Sequence, residues 1–201
     1  MKNFVVTVFA AAAMIACKKN ETVPANHSAE SMGVSAPAET GMVVSDSTKM
    51  PGTAAHSLSD HDKKFADAAA KGGLMEVMMG KLAATNASNS VVKSLGAMMV
   101  TDHSKANDEL KKWAEAAGYT LPTALDAEKQ KMYDDLKAKK GVDFDRKYTD
   151  LMVTDHKEDI EEFRKEAENG KETSLKSFAS RTLPTLEHHL KESEKAKAAV
   201  K

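Results

Sequence analysis

The pentapeptide Met99-Val100-Thr101-Asp102-His103 returns, letter for letter, as Met152-Val153-Thr154-Asp155-His156. In constant register the match goes on, pairing Glu109 with Glu162, Leu110 with Phe163, Lys112 with Lys165 and Ala114 with Ala167. Such a repeat specifies two helices of one design. Each carries an Asp-His pair in its middle, which is trivial if it faces water and costly if it faces a core.

Periodicity decides which. In the second copy of the heptad-like pattern Tyr148, Met152, His156, Phe163 and Ala167 share one face with either Ile160 or Asp159. In the first, Val92, Gly96, Met99, His103, Ala106, Leu110, Trp113 and Ala117 step by four and three. Both histidines therefore lie on apolar stripes. Asp102 sits about 100° round the helix and flanks the stripe rather than opposing it. Upstream, Ser59 with Asp60 and Asp62 reads as an N-cap and acidic first turn. A stripe of Phe65, Ala69, Gly72, Glu76, Met79 and Ala83 follows, to about Asn86. Downstream, a helix from Thr173 carries Leu175, Ala179, Leu186, His189, Ser193 and Ala196, with Glu187 and His188 beside that face.

Expected boundaries are Ser88 or Ser90 capping the second long helix and Gly118 ending it, and Asp143 capping the third with Asn169-Gly170 ending it. A short charged helix from a cap at Thr123 to about Lys140 lies between. A short link, a long crossover and a second short link predict an all-α, up-down-down-up four-helix bundle with a short crossover helix. At 1.5 Å per residue His103 and His156 then differ in height by only about 3 Å, with His189 and Glu76 near the same level. The candidate site is Glu76, Asp102, His103, Asp155, His156, His188 and His189, with Tyr148 and Glu187 supporting the polar layer.

At 201 residues, 41% hydrophobic and 29% charged, the chain supports one domain with a real core. Basic residues (29) nearly cancel acidic ones (30), so no field recommends nucleic acid, and no glycine-rich phosphate loop recommends a nucleotide. The single cysteine excludes an internal disulfide. Lys2, the apolar run from Phe4 to Met14 and the sequence Met14-Ile15-Ala16-Cys17 read as an export signal over residues 1–16. The apolar run, about 11 residues, is shorter than the roughly 17–25 that a spanning helix needs. Its end resembles the lipobox of bacterial lipoproteins, which implies lipidation of Cys17 and a membrane-anchored protein in the cell envelope, facing periplasm or cell surface. Residues 17–57, rich in Ala, Ser, Thr and Pro, read as a tether, and 58–201 as the bundle.

From His61 to Lys197 the chain resembles the bacterial domain-of-unknown-function family numbered 4142. The matching pieces are Phe65 to Ala69 with Glu76, Met98 to His103, Phe144 to His156, and Leu183-Pro184 with His188-His189-Leu190. The resemblance implies a ferritin-like bundle, exported or outer-membrane, without an established activity. Ferritin-like di-metal proteins use Glu-x-x-His. Here Val100, Val153 and Leu186 stand three residues before the histidines, which argues against that chemistry.

Three readings remain open. The imidazoles and carboxylates suit zinc, copper or iron, and Met75, Met79, Met99 and Met152 also admit Cu(I). Alternatively, each histidine pairs with a carboxylate and the layer only fixes register. A third reading is an envelope interaction or stress module that uses the outer charges Glu158, Asp159, Glu161, Glu162, Lys165 and Glu166. No nucleophile–base–orienter set recommends an enzyme.

Overall fold

Helix starts and stops in this chain are set by a few polar side chains, some local and some brought from far away. In the computed structural model, which describes residues 58–200, Ser59 opens the bundle with a reciprocal cap. Its Oγ accepts from Asp62 N at 3.1 Å, and the Asp62 carboxylate takes Ser59 N at 3.3 Å. The helices are α1 (Asp60–Asn86), α2 (Ser90–Ala117), α3 (Ala127–Lys137), α4 (Gly141–Asn169) and α5 (Thr173–Ala199). The export segment, Cys17 and the tether lie outside the described residues. No described helix is long and apolar enough to cross a membrane.

Three boundaries differ from the sequence expectation. Asn89, not Ser88 or Ser90, caps α2, its side chain accepting from Val91 N at 2.8 Å. Ser88 is drawn instead to Asp145 of α4, which accepts both its N–H (3.1 Å) and its hydroxyl. The crossover helix starts at Asp126, whose side chain accepts from Lys129 N, because Tyr119 and Leu121 are used to pack back over the apolar core. Finally, α4 begins at Gly141 with φ 61°, a left-handed value that glycine tolerates, so Asp143 falls in the first turn and not at the cap.

The four long helices stand on a square in the order α1, α2, α5, α4. Packing is heaviest within the hairpins α1–α2 and α4–α5, lighter between α1 and α4 and between α2 and α5, and slight across the α2–α4 diagonal. The ends show the directions. At one end Asn86 Nδ2 donates to the carbonyls of Lys137 (3.3 Å) and Lys139 (3.1 Å), and Arg146 Nε donates to Val200 O (3.2 Å). At the other, Lys171 N donates to Asp62 (2.8 Å) and Trp113 Nε1 to Glu172 (2.9 Å). Thus α1 and α5 run one way and α2 and α4 the other: up, down, down, up.

Glycines let α1 and α2 close on each other. A Cβ on Gly80 would stand 2.7 Å from Gly96 O, and one on Gly96 would stand 2.5 Å from Ala83 Cβ, so the two backbones touch there. This contact fixes the register between Glu76, one turn before Gly80, and His103, two turns after Gly96.

The core is in two halves. One holds Met75, Met79, Val92, Leu95, Met99, Leu136, Phe144, Tyr148 and Met152. The other holds Phe65, Leu110, Ile160, Phe163, Leu175, Phe178 and Leu186, with Phe65 edge-on to Phe163 at 4.9 Å. Each of these large side chains contributes about 1.5–3 kcal/mol by leaving water. On α2, α4 and α5 the passage from one half to the other goes through a histidine.

Candidate metal centre

Glu76, His103, His156 and His189 are 1, 6, 0 and 0% exposed, so the polar residues of the apolar stripes are truly interior. The three imidazoles close a triangle. Ring centroids are 5.5 Å apart for His103–His156, 5.1 Å for His103–His189 and 5.3 Å for His156–His189. One nitrogen of each lies within 4.8 Å of one nitrogen of the others.

Hydrogen-bond partners assign the tautomers. His156 Nδ1 stands 2.9 Å from the Met152 carbonyl oxygen, which only accepts, so Nδ1 carries the proton and Nε2 a lone pair. His189 Nε2 stands 2.9 Å from Asp102 Oδ2 and donates to it, leaving the lone pair on Nδ1. These two lone pairs face each other at 3.3 Å. Moving either proton into that gap turns a lone pair onto the Met152 carbonyl or the Asp102 carboxylate. Three contacts share two protons. His103 donates from Nδ1 to Glu76 Oε2 at 2.7 Å, and its Nε2 is buried without a partner. Glu76 Oε1, also unpartnered, lies 3.4 Å from His156 Nε2. A proton on Glu76 would leave the His156–His189 contact as it is.

Charging a ring does not resolve the deficit. Burial depresses His156 to about 3, helped by the neighbouring His103 and His189 and opposed by the Met152 carbonyl. Burial likewise depresses His103 to about 4 against the pull of Asp155 and Asp102. His189 is lowered too, by burial, although its Asp102 hydrogen bond opposes this. The rings are held neutral, which is the metal-ligating form.

A second group of donors adjoins the first. Glu76, Asp155 and Asp159 each place a carboxylate oxygen within 4.8 Å of the other two. Burial, followed by Asp155, drives Glu76 well above the usual carboxyl range. Burial, followed by Glu76 and Asp155, does the same to Asp159.

The sequence-derived set divides on this geometry. Glu76, His103, His156 and His189 come together, and Asp155 joins through the carboxylate group. Asp102 is half-buried and serves as the hydrogen-bond partner of His189 rather than as a member of the triangle. His188 is exposed, and Glu187 faces solvent near Arg164 at 3.6 Å, so neither belongs to the layer. A stripe identifies a face only to within about one residue, and these two lie just past its edge. Tyr148 is fully buried but stacks on Phe144 at 5.5 Å in the apolar half, and its hydroxyl has no partner among the described residues. Met75, Met79, Met99 and Met152 all belong to that apolar half.

Two residues read from sequence as outer-face charges are not. Asp159 is half-buried against Glu76 and Asp155. Glu166 is 0% exposed, beside Asp62 at the bundle end. The signal for Asp159 was its spacing of one turn from Asp155, which places both on the same side of α4.

Fold and site together define a class: an all-α, ferritin-like four-helix bundle whose core is divided by a buried histidine–carboxylate layer. Residues 47–196 match the domain of unknown function DUF4142, and the chain belongs to that family. No curated protein and no solved structure matches the chain.

Proposed function

We propose that this protein binds one divalent transition metal of the zinc or copper type through His103, His156 and His189, with Glu76 as the oxygen donor. The observation that carries this is the His156–His189 contact, where two lone pairs meet because both protons are committed elsewhere. An ion between them supplies the missing positive charge without breaking either outer hydrogen bond. Two ligands each 2.0–2.1 Å from a tetrahedral ion stand roughly 3.3–3.4 Å apart. The edges from His156 Nε2 to His189 Nδ1 and to Glu76 Oε1 are 3.3 and 3.4 Å. The Met152 carbonyl, Asp102 and Glu76 Oε2 hold the other ring nitrogens, as outer partners do at histidine metal sites. A nitrogen-rich set of this kind suits zinc and copper better than the carboxylate-rich pattern used by iron pairs.

We place this metal site in the cell envelope, held to a membrane by lipid on Cys17, because Lys2, the short apolar run and Ala16-Cys17 fit an export signal with a lipidated end. Incorporation of labelled fatty acid, abolished by Cys17→Ser, is the expected result; labelling that survives the substitution sinks this part.

The metal reading is tested by elemental analysis of the full chain, purified without an affinity tag, beside the His103→Ala/His156→Ala double variant. Near one metal per chain in the parent, lost from a double variant that keeps its helical circular dichroism, is expected. No metal after incubation with zinc, copper and iron, together with a large stability loss in the variant, would make the layer architectural.

A further inference from the structure

We propose that Glu76, Asp155 and Asp159 hold a second divalent cation, of the hard manganese or magnesium type, directly beside the imidazole-bound metal. The inference rests on the metal reading above, since Glu76 is common to both donor sets.

Three carboxylates close together are not a site in themselves. What distinguishes this group is that its oxygens are buried and lack donors. Asp155 is 7% exposed and Glu76 1%, yet Asp155 Oδ2 and Glu76 Oε1 have no hydrogen-bond partner. At Asp62 and Asp145 a buried carboxylate is surrounded by N–H groups; here none reaches these atoms. There is also room. A cavity of about 20 Å³, lined by Glu76, His103 and Asp159 with Gly72, Phe163 and Phe178, opens beside two of the three carboxylates, enough to admit one water or ion, which takes roughly 10–15 Å³ by the same measure.

The donor chemistry separates the two positions. Three imidazoles select a borderline or soft ion, whereas an all-carboxylate set selects a hard one that keeps water in its remaining positions. Charge balance points the same way. One dication beside three neutral rings leaves the carboxylates in excess, and a second compensates them.

The test is sequential loading of the full chain. Zinc is added to saturation and its stoichiometry read by elemental analysis; manganese(II) is then titrated, with the loss of the free-ion electron paramagnetic resonance signal as the readout. One zinc and one further manganese per chain are expected. In Asp155→Asn/Asp159→Asn, zinc stays at one and manganese affinity falls at least tenfold. Asp159→Asn alone, at the half-buried position, is the backup should the double variant fail to fold, and it is expected to weaken manganese severalfold. Zinc uptake with no manganese uptake overturns the second cation while leaving the imidazole site standing. Manganese uptake that the substitutions do not change places the ion elsewhere and overturns it as well. Absence of both metals overturns both readings.

Discussion

Buried carboxylates in this bundle differ in what surrounds them. At the ends, Asp62 and Asp145 are 1 and 2% exposed, and each is surrounded by donors. Asp145 accepts from Ser88 N (3.1 Å), Ser88 Oγ and Asn89 N (2.9 Å), closing the α1–α2 turn from α4. Burial pushes Asp62 up, but hydrogen bonds from Ser59 and the backbone N–H groups of Lys171 and Glu172 outweigh it and leave its carboxyl below the usual value. In the middle, Glu76 and Asp155 are as deeply buried and have no backbone donors, and both are pushed up. Burial alone therefore does not say what a carboxylate is for. A full set of N–H partners marks an architectural anion, whereas a missing set leaves the carboxyl to a proton, as at Glu166, or to a cation.

That contrast can be broken by experiment. The largest effect belongs to the metal: zinc at about 1,000 times its dissociation constant should add about 4 kcal/mol to unfolding stability. His156→Ala should abolish this gain, which denaturant titration with and without zinc reads directly. Next, Asp145→Ala orphans several buried donors and should cost about 3 kcal/mol in metal-free protein, whereas Glu76→Gln should cost less than about 1 kcal/mol. Equal losses for the two variants would erase the distinction drawn above.

Glu166 supplies a third, pH-dependent effect. Burial raises it to about 7, with the Asp62 charge and hydrogen bond adding to the rise. A carboxyl whose folded value lies above its unfolded one favours the protonated fold. Its contribution is full below the unfolded value near 4.5 and is lost as pH rises through about 7. Glu166→Gln should therefore gain about 1–2 kcal/mol on the parent between pH 5 and pH 8, measured by chemical unfolding at both. An unchanged difference would mean that burial beside Asp62 does not raise the Glu166 carboxyl.

The smallest effect concerns Lys129 on α3. It opposes the raised values of Glu76, Asp155 and Asp159 and makes no ion pair of its own among the described residues. Lys129→Gln should tighten manganese at the carboxylate group about threefold at low ionic strength and leave zinc unchanged. A weaker manganese affinity would instead make Lys129 a support for the site.

Much of this was readable beforehand. The repeated Asp-His pair, the Ser59 cap, Gly118 as the end of α2 and the common height of Glu76 and three histidines all follow from periodicity and helix rise. What was not readable depends on other helices. No local pattern says that Asp145 will cap a turn lying more than fifty positions earlier, and nothing near Glu166 says that α1 will cover it. Neighbouring positions on one helix differ by about 100°, so the choice between Ile160 and Asp159, or between His189 and His188, needs the packing partner. Asp159 stands in the sequence as the alternative to Ile160 on the stripe and stays outside the candidate site because a charged residue in a charged run looks solvated. Its α1 partner, Glu76, is distant in sequence.

The hairpin arrangement has a consequence for assembly. Glu76 and His103 come from α1 and α2, His156 and His189 from α4 and α5, so each hairpin brings half of the donors. Local contacts build each hairpin rapidly, while docking one onto the other must close a longer loop and is the slower event. Two fragments cut within the crossover would each carry an incomplete chelate, and an ion able to bridge them would act as a template for their reunion. The bundle would then behave as a coincidence detector, completed only when both halves and their ion are present together.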